Sequence, residues 1–246
     1  QLPDDVVALI RSLDPKTHPT RVLRAGVSAL GCHELSQDDD IAGRRQWREL
    51  RVVGQVASLV AEICRLRTGQ SSSPPREDCS LAESVLFALT GREPDPTEVK
   101  ALDLLWVLYA AHGLDAPTFT SMVVASGLAD PYDNLVAGLS AHRGPRSAGA
   151  AERVLEQLLQ LRNPDEARAW VRQTLGAGCA IAGFGHPSYR MPDPRVVILR
   201  KEVATLARSN DRTNLFEVAR AVEMAATGAL ASRDIHININ FYGALL

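Results

Sequence analysis

Between Gly183 and Arg195 the chain reads Gly-Phe-Gly-His-Pro-Ser-Tyr-Arg-Met-Pro-Asp-Pro-Arg. Two glycines allow backbone to come close to a ligand, and His186 can give or take a proton near neutral pH. Arg190 and Arg195 stand four and nine residues beyond the histidine, around a proline-rich turn that leads into a helix. A histidine followed by two guanidinium groups is chemistry for holding an anion, and a planar arginine fork matches a carboxylate better than a lysine point charge does. Taken without its context, the glycine pair reads first as a structural turn.

The elements that must position these groups are helices. Hydrophobic residues make up 46% of the 246 and aromatics only 5%, and apolar positions recur at three and four rather than alternating, so the predicted class is all-α. Helices are expected over about 4–13, 19–30 and 41–67, the last with Leu50, Val53, Val56, Leu59, Val60, Ile63 and Leu66 on one face. Gly69 to Pro75 is a loop, Ser80 is placed as an N-cap with Glu83 in a capping box, and the helix they open ends near Gly91. The next, up to His112, is apolar almost all round, which predicts burial between neighbours, a subunit interface among them. Further helices are expected over 116–127, 131–142, 148–161, 164–175, 194–209 and 214–228, with an alternating, extended piece over 235–243.

Composition closes off several classes of function. A net charge of −2 lacks the concentrated excess of Lys and Arg that nucleic acid requires. Cys32, Cys64, Cys79 and Cys179 show no paired spacing, so neither a zinc site nor a disulfide framework is expected, nor any other metal. A reducing cytoplasm is the expected home, with no membrane contact, because no apolar run reaches about 18 residues. The start, Gln1 to Asp5, has no signal-peptide pattern, and the initial Gln suggests a chain that begins inside a longer product.

Four stretches, in order, resemble the citrate synthase family. They are Ala110 to Thr120, containing His112-Gly113; Gly144 to Ala150; Gly183 to Arg195; and Asn238-Ile239-Asn240-Phe241-Tyr242-Gly243. The resemblance runs through essentially the whole chain, including the His18-Pro19 turn and the Leu89-Thr90-Gly91 helix end. It implies a citrate-synthase-like fold with a large helical domain, expected over 1–144 and carrying a homodimer contact, and a smaller closing domain over 145–246. It also implies sections ahead of Gln1 and beyond Tyr242, with further arginines. The implied reaction condenses an acyl-CoA with a 2-oxo acid and hydrolyses the thioester, so coenzyme A thioester is the expected co-substrate and no cofactor is held permanently. Residue by residue, the resemblance gives His112 the carboxylate and carbonyl region of the oxo acid. His186 polarises its carbonyl, Arg195 grips its carboxylate, and Arg190 meets a CoA phosphate.

Two positions depart from the family's pattern. Where it has Gly-Pro-x-His-Gly-Gly-Ala-Asn, with a histidine that stabilises the enolate oxygen, this chain has Ser147, followed by Ala148 and Ala151. Where it has Asn-Val-Asp-Phe-Tyr, with the aspartate that removes the methyl proton, this chain has Asn240. An amide has no basic form near pH 7. Ser147 and Asn240 can still donate hydrogen bonds to an oxyanion, and His236 is a candidate substitute base. The leading expectation is therefore an enzyme of altered chemistry, either acyltransferase-type or a derived lyase or hydrolase. It would act on an acyl-CoA or another activated carbonyl compound and a carboxylate-bearing partner. A non-catalytic carboxylate-binding or regulatory relative, and ordinary citrate or methylcitrate synthesis, stay open beside it.

Overall fold

The computed structural model describes residues 2–33, 42–71, 76, 78–110, 113–143, 149–186, 189–209 and 213–246, with side chains in the second of these segments described from Trp47 onward. Its helices are α1 (Asp4–Ser12), α2 (Pro19–Gly31), α3 (Ala42–Arg67), α4 (Leu81–Thr90), α5 (Pro96–Tyr109), α6 (Ala116–Ser126), α7 (Pro131–His142), α8 (Ala150–Leu158), α9 (Ala167–Gly176), α10 (Arg195–Ser209), α11 (Thr213–Leu230) and α12 (Asn240–Gly243). The predicted all-α class is what forms. Among the described residues no helix is long and apolar enough to cross a membrane.

Local chemistry explains several helix starts. Ser80 Oγ accepts the Glu83 N–H at 3.2 Å, Asp115 accepts that of Thr118 at 2.8 Å, and Asp130 accepts those of Tyr132 and Asp133 at 2.7 and 3.0 Å. Each satisfies N–H groups that a helix start leaves without intrahelical partners. Pro19 opens α2 with a fixed φ, and His18 Nδ1 accepts the Thr20 N–H.

Packing divides the chain into two units, Gln1–Asp95 with His112–Ala148, and Pro96–Ala111 with Gly149–Leu246. Set beside an expected cut at 144, this division ends the first unit at Ala148 and places α5 with the second. Leu105 and Leu108 lean on that unit's core, and Lys100 Nζ reaches the buried Glu202 of α10 at 3.4 Å. The expected burial of this helix does not hold within the chain: Ala101 alone among its residues is fully buried, and Val107 is exposed.

In the first unit Val6, Ile10, Val22, Val27, Leu30, Leu59, Ile63 and Tyr132 form the core. The apolar face of α3 is used from Val52 onward, while Leu50 and Val53, expected on the same face, are exposed. In the second unit Val154, Leu158, Val171, Leu199, Val203, Val218, Val222, Phe241 and Tyr242 are buried together. The segment expected to be extended over 235–243 is so only in part. Ile237 makes an isolated antiparallel bridge with Phe184, and Asn238 Oδ1 then takes the Asn240 N–H at 3.0 Å, turning the chain into α12.

A phenol and a carboxylate are paired inside this second core. Tyr242, fully buried, donates to Glu223 Oε2 at 2.6 Å, and Arg200 donates to Glu223 Oε1 at 2.8 Å. Burial, followed by that bond and the Glu223 charge, holds the Tyr242 phenol far above its ordinary value. Tyr242→Phe leaves the carboxylate short of a donor and is expected to cost about 1.5–3 kcal/mol, read as a lower urea midpoint at unchanged slope. A raised phenol stabilises the fold fully below the unfolded tyrosine pKa of about 10 and loses that contribution as pH climbs beyond it. The same variant therefore flattens the alkaline limb of the stability curve.

Candidate active site

The Gly183 loop and the Asn238 segment are one piece. Gly185 N–H donates to the His236 carbonyl at 2.7 Å, Asn238 N–H to the Gly183 carbonyl at 2.8 Å, and Asn238 Nδ2 to the Gly185 carbonyl at 2.7 Å. Both glycines sit at positive φ, +80° at Gly183 and +89° at Gly185, where a side chain is strained. Gly183 has a second reason to be glycine, because a Cβ there would lie 2.7 Å from the Phe241 ring. The close approach seats Phe241 under the loop, edge-on to Phe184 with centroids 5.5 Å apart.

On this base stand three of the residues singled out from sequence. His186 Nδ1 accepts the Tyr189 N–H at 3.0 Å, and the two rings stack with centroids 4.1 Å apart. With Nδ1 taken as an acceptor, Nε2 is the ring nitrogen left to donate. Asn240, at the start of α12, accepts from the Tyr109 phenol through Oδ1 at 3.1 Å. Arg195 opens α10 and is largely buried. Its Nε and Nη2 donate to the two oxygens of Asp193 at 2.9 and 2.7 Å, and its Nη1 donates to the Leu108 carbonyl at 3.1 Å.

Asp193 is 1% exposed and also accepts the backbone N–H of Arg195 at 3.0 Å. Burial alone would raise its carboxyl. The hydrogen bonds and charge of Arg195, with a backbone bond from Ile239, outweigh that and hold it below the usual carboxylate value. The same contact holds the Arg195 guanidinium above its ordinary value. Second hydrogens remain on Nη1 and Nη2 of Arg195, so the fork can still meet an anion, though with its charge already matched. Tyr109 lies beside this pair. Burial pushes its phenol up to about 12, the Arg195 charge opposing and the Asp193 charge adding to the rise.

The other expected site residues are distributed differently. Arg190 is exposed, without a hydrogen bond or ion pair among the described residues. His236 is paired through Nε2 with Asp234 Oδ1 at 3.0 Å, so its ring already has a carboxylate partner. His112 and Ser147 lie outside the described residues. No group of three or more His, Cys, Asp or Glu suited to a metal occurs among the described residues. The sequence reading missed Tyr109, Asp193 and Asn238. Asp193 had a local signal, since Asp followed by Pro ahead of a helix is a capping pair. Tyr109, at the end of an apolar helix, had none.

The profile of the family described as citrate synthase, C-terminal domain, matches residues 1–246. The citrate synthase of Deinococcus radiodurans is 32% identical over 241 residues, 98% of this chain and 64% of that protein. A 2-methylcitrate synthase of Mycobacterium tuberculosis is 30% identical over 240 residues, 96% of this chain and 61% of that protein. Among solved structures, the citrate synthase of Thermoplasma acidophilum in ternary complex with carboxymethyl coenzyme A and oxaloacetate superposes with a TM-score of 0.86 at 26% identity, covering 100% of this chain and 65% of that one. The chain thus spans just under two thirds of the length of these relatives.

The Asp193 contact yields a test of its own. Asp193→Asn leaves Arg195 buried beside a neutral amide and is expected to cost about 3–5 kcal/mol in denaturant unfolding. A carboxyl held low stabilises the fold above the unfolded Asp pKa of about 4, and that contribution is lost as pH falls through the lowered folded value. The variant should therefore flatten the acid limb of the stability profile, measured by thermal melts between neutral pH and pH 3.

Proposed function

This chain belongs to the citrate synthase family, and from that premise we propose that it is an enzyme of altered chemistry acting on an acyl-CoA, or another activated carbonyl compound, and a carboxylate-bearing partner. One observation carries the proposal. Asn240, at the position where the family resemblance puts the proton-abstracting carboxylate, is an amide held by a phenol at 3.1 Å. Neither group accepts a proton near pH 7. The roles that remain are those of orientation and polarisation. His186 Nε2–H faces the developing charge of a carbonyl oxygen, and Arg195 binds a carboxylate, a role the resemblance also gives to His112. Arg190 meets a CoA phosphate, and Ser147 with Asn240 supplies hydrogen bonds to an oxyanion. Such a site suits a substrate already activated, or a cleavage, hydrolysis or dehydration that requires no methyl deprotonation.

Loss of an oxyanion donor typically lowers turnover about 100- to 1000-fold, and loss of the base about 100- to 10,000-fold. Thiol release from acetyl-CoA with oxaloacetate is therefore expected to be slow. The double variant Asn240→Asp, Ser147→His should exceed the unmodified chain by at least about 100-fold, and equal, brisk rates in both would overturn the proposal. His186→Ala should abolish oxaloacetate binding in calorimetry, because the carboxylate pocket is the half of the site taken to be intact.

A second reading, a carboxylate-binding or regulatory relative without turnover, is favoured by Arg195. Its guanidinium already directs Nε, Nη1 and Nη2 hydrogens at Asp193 and Leu108. Weak binding of oxaloacetate with no turnover in either variant would select it.

The proposal extends to a homodimer formed through the first unit. Trp47 and Leu128 there are 73% and 87% exposed, with Leu50, Val53, Phe119 and Met122 exposed as well. A contiguous apolar patch left in water marks a surface that another chain covers, and Val53 and Leu128 line one groove on this unit. Phe119→Asp with Leu128→Asp should shift the sedimenting species from dimer to monomer.

A further inference from the structure

Tyr109 has no part in the site as the resemblance draws it, yet its surroundings are built around it. The phenol oxygen lies 3.1 Å from Asn240 Oδ1. Gly243, on the same short helix as Asn240, would place a Cβ 3.2 Å from Tyr109 Cζ and closer still to the hydroxyl, so glycine at that position clears the space the phenol fills. Gly243 does not have positive φ, and its backbone would accept alanine. The constraint at 243 is the phenol. One residue before Tyr109, the Leu108 carbonyl accepts from Arg195 Nη1 at 3.1 Å, so the last turn of α5 reaches both Arg195 and Asn240.

A phenol that keeps its proton has a donor to place, and an amide has one end that accepts and one that donates. Asn240 Oδ1 is the acceptor given to Tyr109. The backbone N–H of Asn240 is taken by Asn238 Oδ1 at 3.0 Å, and Asn238 Nδ2 is anchored on the Gly185 carbonyl at 2.7 Å. Backbone and carbonyl end are thus both fixed from the protein side.

We infer that Tyr109 is a positioning residue that pins the carbonyl end of the Asn240 amide, so that the group Asn240 offers a ligand is its NH2, a hydrogen-bond donor to oxygen. The inference rests on the proposed function for the kind of ligand, and it sharpens that function. The atom that meets residue 240 is an acceptor oxygen, of a carboxylate, a carbonyl or an enolate formed elsewhere, and not a carbon giving up a proton. Raised well above neutral, the Tyr109 phenol stays a donor throughout the physiological range.

Two measurements test this on the full chain. In spectra of protein labelled with 15N-asparagine, the side-chain NH2 pair of Asn240 is identified by its disappearance in Asn240→Ala. That pair should move in both Tyr109→Phe and Gly243→Ala while the other asparagine pairs keep their positions. An unmoved Asn240 pair overturns the inference. Calorimetry with oxaloacetate then reads the donor. Tyr109→Phe should weaken binding roughly 3- to 10-fold, and should change it by less than about twofold when Asn240 is already Ala. Equal losses in both backgrounds would mean that Tyr109 acts other than through Asn240 and would overturn the inference. If the unmodified chain does not bind oxaloacetate at all, the failure falls on the proposed carboxylate pocket, and the Asn240 resonance alone decides the role of Tyr109.

Discussion

The candidate site depends on a backbone tie a few residues long, in which the loop at Gly183 and Gly185 exchanges hydrogen bonds with His236 and Asn238 while Phe241 presses into the space left by the missing side chain at Gly183. Neither segment has regular structure long enough to fix its own course. Paired, they acquire one, because the Gly185 and Asn238 N–H groups each find a carbonyl across the gap. His186 leaves this tie at one end and Asn240 at the other. Their relation is therefore set by the hydrogen bonds of this tie.

Electrostatics adds a second layer. Arg195 is held by a carboxylate that is almost completely buried, and a buried guanidinium without such a partner would be costly to desolvate. The same partner lowers the attraction Arg195 can exert on an incoming anion. A guanidinium matched in this way offers directed N–H groups more than net charge, which favours geometry over long-range capture. Tyr109 belongs to the same logic, since its phenol contributes a dipole but no charge.

How much of this was legible in the sequence varies with the range of the interaction. Helix starts at Pro19, Ser80, Asp115 and Asp130 could be read because a cap and the N–H groups it serves are neighbours in the chain. The close backbone approach at Gly183 and Gly185 could be read for the same reason, since glycine announces it locally. The role of α5 could not. Its apolar sequence states that it is buried against something, but Leu50 and Val53 on α3 carry the same signal and are exposed, while the Tyr109 to Asn240 contact spans 131 positions. Substitutions at Asn240 and Ser147 stood out only against a family pattern. The turn that lifts Asn240 into α12 depends on Asn238, whose alternation with Ile237 and Ile239 read as a strand. A side-chain bond from Asn238 to the Asn240 N–H won over the periodicity.

The path of the chain has a consequence for how the second unit comes into being. Its α5 is bracketed on both sides by stretches of the first unit, so the polypeptide passes between the two units at 95–96, 111–112 and 148–149. During synthesis α5 leaves the ribosome long before α10 and α12 exist, and Leu105 and Leu108 must wait without the surface they will cover. A fragment excised at 149 would carry the Gly183 loop and Asn240 but neither the carbonyl that steadies Arg195 nor the phenol that steadies the amide. The compact piece that a gene truncation would suggest is therefore not a transplantable module.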